Sequence, residues 1–159
     1  KIDRSKPFDP AEFIGAGWSI WRGPADGNGL EGEEEEDVRS LALTELDLSQ
    51  ILFDPCLKQG ENSTTSEERI KRLVVANRIR LDARIFQTLW ENRNILPERF
   101  KRKTGGDTTF VFCDGTILRG PDGDRYALCF CWRSGGWRWN YYWLGFDRVA
   151  SGPSASLAS

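Results

Sequence analysis

The strictest alternation of apolar and polar positions lies in the last third of the chain. Thr108 to Cys113, Thr116 to Arg119, Arg125 to Arg133 and Trp137 to Leu144 each have strand character. They are separated by Asp114-Gly115, Gly120-Pro121-Asp122-Gly123 and Ser134-Gly135-Gly136, and such short linkers form hairpin turns because glycine adopts positive φ without strain. The pattern predicts a four-stranded antiparallel meander over 108–144. With Gly135-Gly136 as the closing loop, Trp132 faces Trp139 and Phe130 faces Tyr141. Strand side chains alternate between faces. Tyr126, Leu128, Phe130, Trp132, Trp137, Trp139, Tyr141 and Trp143 therefore share one side, while Ala127, Cys129, Cys131, Arg133, Arg138, Asn140 and Tyr142 share the other.

Upstream of the meander the apolar period becomes helical. Thr65 and Glu68 fit a capping box ahead of Ile70, Leu73 and Val74, and that helix should stop near Asn77. Asp82 fits the N-cap of a second helix carrying Ile85, Phe86, Leu89 and Trp90 on one face, and Pro97 suits the start of a short third helix over 98–103. The first two helices should pack as an angular pair. Earlier still, Pro7 and Pro10 flank Phe8 in an extended segment, Trp18 to Trp21 reads as a short strand and Ser40 to Leu48 as another. The resulting expectation is one α+β domain over 1–159. It has a strand and loop region 1–60 with a Gly-rich and acidic loop 22–39, a helical region 65–103, the meander 108–144 and a flexible tail 150–159. The sheet should pack its aromatic face on two or three helices, with the N-terminal strands extending it.

Composition narrows the function classes. Hydrophobic residues are 39% and charged residues 29% of the chain, which is globular composition and excludes wholesale disorder. No stretch approaches the roughly 18 apolar residues of a membrane span, and no charged-then-apolar leader opens the chain, so a soluble cytoplasmic protein with no membrane partner is expected. The chain has 0 histidines, which removes Ser-His, Cys-His and His-metal chemistry. Charge is unevenly spread: residues 1–68 hold 6 basic against 16 acidic side chains, and residues 69–103 hold 11 against 3. The acidic front and basic middle could satisfy one another or face separate partners.

Three sets of residues invite a functional role. Trp137, Trp139, Trp143 and Tyr141 crowd one end of the aromatic face and are the candidate ligand-binding residues, since indole N–H groups need partners and two short helices cannot cover every ring. Arg78, Arg80, Arg84, Lys101, Arg102 and Lys103, in the basic stretch, are the candidate nucleic-acid contacts. The four cysteines lack a C-x-x-C knuckle, so Cys56, Cys113, Cys129 and Cys131 are expected to be free, buried thiols rather than metal ligands. Carboxylates are the remaining catalytic candidates, Glu91 beside Trp90 among them, while Asp82, Asp114, Asp122 and Asp124 are explained as cap and turn residues. The segment Gly15 to Gly32 lacks the Gly-Lys-Ser/Thr ending of a phosphate loop.

Several stretches carry a resemblance: Pro7-Phe8-Asp9-Pro10 through Gly17-Trp18-Ser19-Ile20, Trp21-Arg22-Gly23-Pro24-Ala25-Asp26-Gly27, Ser40-Leu41-Ala42-Leu43-Thr44-Glu45, Ile79-Arg80-Leu81-Asp82-Ala83, Phe86-Gln87-Thr88-Leu89-Trp90-Glu91-Asn92, and Asp114-Gly115-Thr116 with Leu118-Arg119. Through them the chain resembles uncharacterised hypothetical proteins of uncultured and candidate-phylum bacteria, a group similar in kind to orphan proteins on mobile gene cassettes. The resemblance covers nearly the full length and implies a single domain, and it implies no activity, cofactor or partner. The expected function is a non-enzymatic binding or protein-interaction module with an aromatic-rich sheet face and no cofactor. Its partner would be a protein or a small molecule, or a second copy paired through the meander edge. The alternatives are nucleic-acid binding through 69–103 and a small carboxylate-dependent enzyme.

Overall fold

The computed structural model describes residues 1–22 and 36–159. The predicted Gly23 to Gly32 loop and most of the acidic run lie outside the described residues. The chain folds as α+β with a largely antiparallel, curled sheet. Four helices are described: α1 (Pro10–Phe13), α2 (Val38–Leu41), α3 (Ser66–Val75) and α4 (Ala83–Glu91). The strands are β1 (Ser19–Ile20), β2 (Leu52–Asp54), β3 (Ser63–Thr65), β4 (Arg78–Arg80), β5 (Val111–Arg119), β6 (Arg125–Arg133), β7 (Gly136–Trp143), β8 (Asp147–Val149) and β9 (Ser154–Ala158). The main sheet runs β2-β9-β5-β6-β7, with β4 beside β9 and β1 beside β5, and β3 pairs with β8 separately.

Local signals account for the two longer helices. The Thr65 hydroxyl accepts from the Glu68 amide at the start of α3, and Asn77 leaves its end at φ 56°. The Asp82 carboxylate accepts from the amides of Arg84 and Ile85 at the start of α4. Pro97 precedes a single tight turn, Glu98–Lys101, where a short helix was expected. Ser40 to Leu48 is not a strand: Asp37 caps α2 there, and Asp47 caps a turn at Leu48–Gln50, so side-chain oxygens win the amides that a strand would have used.

The C-terminal meander has three strands rather than four. Asp114-Gly115 lies inside β5, where between the pairs Cys113–Leu128 and Leu118–Tyr126 β5 advances five residues and β6 two. This bulge bends β5 toward β4: the Gly115 amide donates to Leu81 O at 2.8 Å, and its carbonyl accepts from Asp37 N at 2.9 Å. The turn between β6 and β7 is Ser134-Gly135, both at positive φ, so Trp132 faces Trp137 and Phe130 faces Trp139. That register differs from the predicted one by two residues. A two-residue slip preserves parity, so every side chain lies on its predicted face.

The two faces are covered differently. On the aromatic face Ile85, Phe86 and Leu89 of α4 and Phe100 join Val111, Leu128 and Phe130 in the main core, and Phe13 and Trp18 of the N-terminal segment close over Trp139, Tyr126 and Tyr141. Helix α3 turns the other way: Ile70 packs with Trp21, Phe112, Ile117, Ala127, Cys129 and Leu144 on the opposite face. Strand β4 separates α3 from α4. The expected cover of two or three helices on one face is thus divided between two faces.

The flexible tail is corrected outright. Residues Ser154 to Ala158 form β9, flanked by β2 on one side and by β4 and β5 on the other, with Ser154, Ala155 and Ser156 fully buried. Small side chains let neighbouring segments close on this strand, and the same smallness makes it look like a linker in the sequence.

Candidate functional site

Beyond α3 the second face of the meander is open, and the described residues form a cleft of about 190 Å³ there. Three segments build it. Phe110 and Phe112 come from the approach to β5 and its start, Tyr142 from β7, Phe146 from the turn before β8, and Arg148 from β8 itself. The loop after β8 is held to β5 by Phe110 N donating to Ser151 O at 2.7 Å and Phe112 N donating to Pro153 O at 3.0 Å. The Tyr142 ring lies 5.8 Å from Phe112, 6.2 Å from Phe110 and 5.5 Å from Phe146.

Arg148 sits among these rings with only 2% of its surface exposed. Its guanidinium carbon is 4.4 Å from the Phe112 centroid and 5.8 Å from those of Tyr142 and Phe146. Nη1 donates to Phe146 O at 2.9 Å, Nη2 donates to Trp143 O at 3.0 Å, and Nε is buried without a partner. Burial pushes this group down to about 10, with Asp114 acting against the shift. Asp114 is itself committed to Arg69, whose Nη2 lies 3.2 Å from its Oδ2. The Arg69 guanidinium carbon also lies over the Phe112 ring, 5.1 Å from its centroid. No carboxylate among the described residues pairs with Arg148. Asp147 also lines the cleft, but it is solvent-exposed and its charge is screened, whereas that of Arg148 is not.

A smaller hollow of about 100 Å³ shares Phe110 and Tyr142 with the cleft and adds Cys129, Cys131, Arg133, Arg138, Trp139 and Asn140. Arg133 and Arg138 are exposed on adjacent strands, and neither forms an ion pair among the described residues.

The predicted ligand residues are spread along β7 and touch rings, and Trp139 also borders the smaller hollow. Trp137 meets Phe130 at 5.7 Å and Trp132 at 5.4 Å, Trp139 meets Phe13 at 4.8 Å, and Tyr141 meets Trp18 at 4.5 Å. Trp143 is half exposed over Gly145. The predicted nucleic-acid residues do not form one surface either. Arg80 is buried, with Nη1 donating to Asp114 O at 2.9 Å, and Arg84 donates to Asp3 O and Gln87. Arg78 is half-buried in β4, Lys101 lies over Trp132 at 4.1 Å, and Arg102 and Lys103 are exposed. Asp37, the end of the acidic run, is buried against Arg80 and Arg39.

The four cysteines are free, and Cys113, Cys129 and Cys131 are buried. Burial pushes all four thiols up, Cys56 to about 12. No cluster able to hold a metal ion occurs among the described residues. Glu91 lines a polar cleft with Asp3, Asp9, Glu12, Lys6 and Arg84, in which Asp3 caps Ser5 and Asp9 caps α1. No described helix is long and apolar enough to cross a membrane.

Sequence reasoning placed Arg133, Arg138, Asn140 and Tyr142 on one face and then passed over it. Phe110, Phe146 and Arg148 join them only through the tertiary fold. No protein-family model matches the chain, and neither a curated protein nor a solved structure is similar to it.

Proposed function

We propose that the protein is a non-enzymatic binding module whose working surface is the aromatic cleft around Arg148, taking a ligand that presents one flat ring and an anionic group. One observation carries this: a guanidinium that pairs with no carboxylate among the described residues is held beneath rings that line a cleft. A buried cation with no carboxylate paired to it among the described residues favours an anion beside it, and Tyr142 with the exposed ring of Phe146 offers stacking surface. The cleft is smaller than the roughly 300 Å³ at which sites for whole drug-sized ligands begin, which suits a single ring.

The test is titration of the isotope-labelled protein with benzoate, phenyl phosphate and neutral benzyl alcohol, followed by amide chemical shifts. The two anions should move resonances of Tyr142, Phe146 and Arg148 at lower concentration than the alcohol does, and Phe146→Ala should weaken all three. Shifts that map elsewhere, or equal response to the alcohol, would defeat the proposal.

Pairing through the meander edge is favoured by a separate feature. Strand β7 ends the sheet, and its outer edge pairs with no strand among the described residues, with Tyr141 and Trp143 exposed beside it. A mass measurement in solution distinguishes a dimer built there from the monomer.

A further inference from the structure

The small hollow and the cleft are neighbours, with Phe110 and Tyr142 lining both. One end of the combined groove offers rings, and the other offers two exposed arginines that form no ion pair among the described residues. The register Cys131 with Arg138 and Arg133 with Gly136 sets these arginines on neighbouring strands, facing the same side as Tyr142. Cys129 and Cys131 lie between them and the rings, buried and with their thiols pushed up, so no negative charge interrupts the groove at that point. Asp147 is the carboxylate of the lining, and it stands at the far end beside Arg148.

Resting on the cleft described above, we propose that this groove binds single-stranded nucleic acid, one base stacking on Tyr142 and Phe146 and the flanking phosphates meeting Arg133 and Arg138. Stacking platforms next to a cationic track are how sheet surfaces hold single strands without reading sequence. A duplex would hide its bases from these rings. The groove lies open on a sheet face, which suits a strand crossing it better than an enclosed nucleotide. The overall charge of -2 opposes binding at long range, so affinity here depends on the local pair of arginines.

The experiment is fluorescence anisotropy of a labelled oligouridylate of roughly eight nucleotides, within the roughly 4–16 that such surfaces cover. It is run between about 50 and 200 mM salt on the whole chain and on the double variant Arg133→Gln, Arg138→Gln. Each single-strand phosphate contact contributes about 0.7 to the slope of log affinity against log salt, so losing both should flatten the slope by about 1.4. Phe146→Ala should weaken binding by about tenfold through lost stacking. Arg133 and Arg138 are exposed and make no ion pair among the described residues, so the double variant should melt with the parent.

Loss of oligonucleotide binding with benzoate binding retained in the arginine variant supports the inference. An unchanged salt slope would place any binding on other cations, Arg102 and Lys103 first, and overturn it. Uridine monophosphate binding as tightly as the oligomer would also overturn it, in favour of a free nucleotide. Benzoate bound and no oligomer bound refutes the inference alone; neither bound refutes the cleft as well.

Discussion

Gly115 offers a sharp test of the architecture, because a turn glycine and a glycine trapped between backbones respond differently to the same substitution. In Gly115→Ala the added methyl would lie 2.3 Å from Arg80 O, 2.5 Å from Leu81 C and 2.6 Å from Leu81 O. All three are main-chain atoms, so no rotamer change relieves the overlap. Moving β5 away would stretch the Gly115 N to Leu81 O bond and the Asp37 N to Gly115 O bond, and would disturb buried Asp114 beside Arg69. Overpacking that side chains can absorb costs about 1–3 kcal/mol, so a backbone overlap belongs at ~3 kcal/mol or above. For a chain of this length each kcal/mol lowers Tm by about 2–4 °C, which places the variant about 6–12 °C below the parent. Gly135→Ala is the control: its φ is 75° and nothing lies within 4 Å of the added carbon, so only left-handed strain of about 1 kcal/mol applies. The assay is thermal unfolding followed by circular dichroism. If Gly115→Ala melts with Gly135→Ala, the close approach of Arg80 and Leu81 to β5 is wrong.

Truncation after Pro153 removes β9 and with it the partner of β2 and β4, so the shortened chain should lose its dispersed amide spectrum; a native spectrum would mean that the tail is dispensable. At Asp82 burial raises the carboxyl pKa, but hydrogen bonds from Arg4 and Ser40 outweigh it and hold the group below the ordinary range. The native carboxyl being the more acidic, its contribution is complete above about pH 4 and fades as pH falls through the lower native value. Arg4→Met should therefore cost up to about 3 kcal/mol at neutral pH in urea unfolding and flatten stability against pH below about 4; an unchanged acid limb would rule out the Arg4 contact. Because burial raises every thiol, native protein at pH 8 should resist iodoacetamide while the urea-unfolded chain takes up label at all four cysteines, and rapid labelling of native Cys113, Cys129 or Cys131 would contradict their burial.

The parts legible in the sequence rest on interactions between near neighbours. The capping oxygens of Thr65 and Asp82 act within three residues, and the alternation along β6 and β7 needs only that each strand be extended. Face assignment even survived a misplaced turn, because a slip of two residues restores parity. Asp114-Gly115 misled because the dipeptide is a strong turn signal, and nothing nearby reveals that Arg80 and Leu81 press against the glycine. Ser154 to Ala158 misled for the opposite reason: with little apolar area of its own, the segment is a strand only where other strands supply partners.

The sequence by itself determined that 108–144 is a meander with its tryptophans on one side, where the two long helices begin, and that histidine and C-x-x-C metal chemistry are absent from the chain. Only the tertiary structure decided that α3 and α4 take opposite faces, that the basic stretch is divided between core and surface, and that Arg148 lies among the rings with no described carboxylate paired to it. The physical reason is range. Periodicity and capping are set within a turn of helix or a strand, whereas burial, charge pairing and clefts depend on which distant segments share one place.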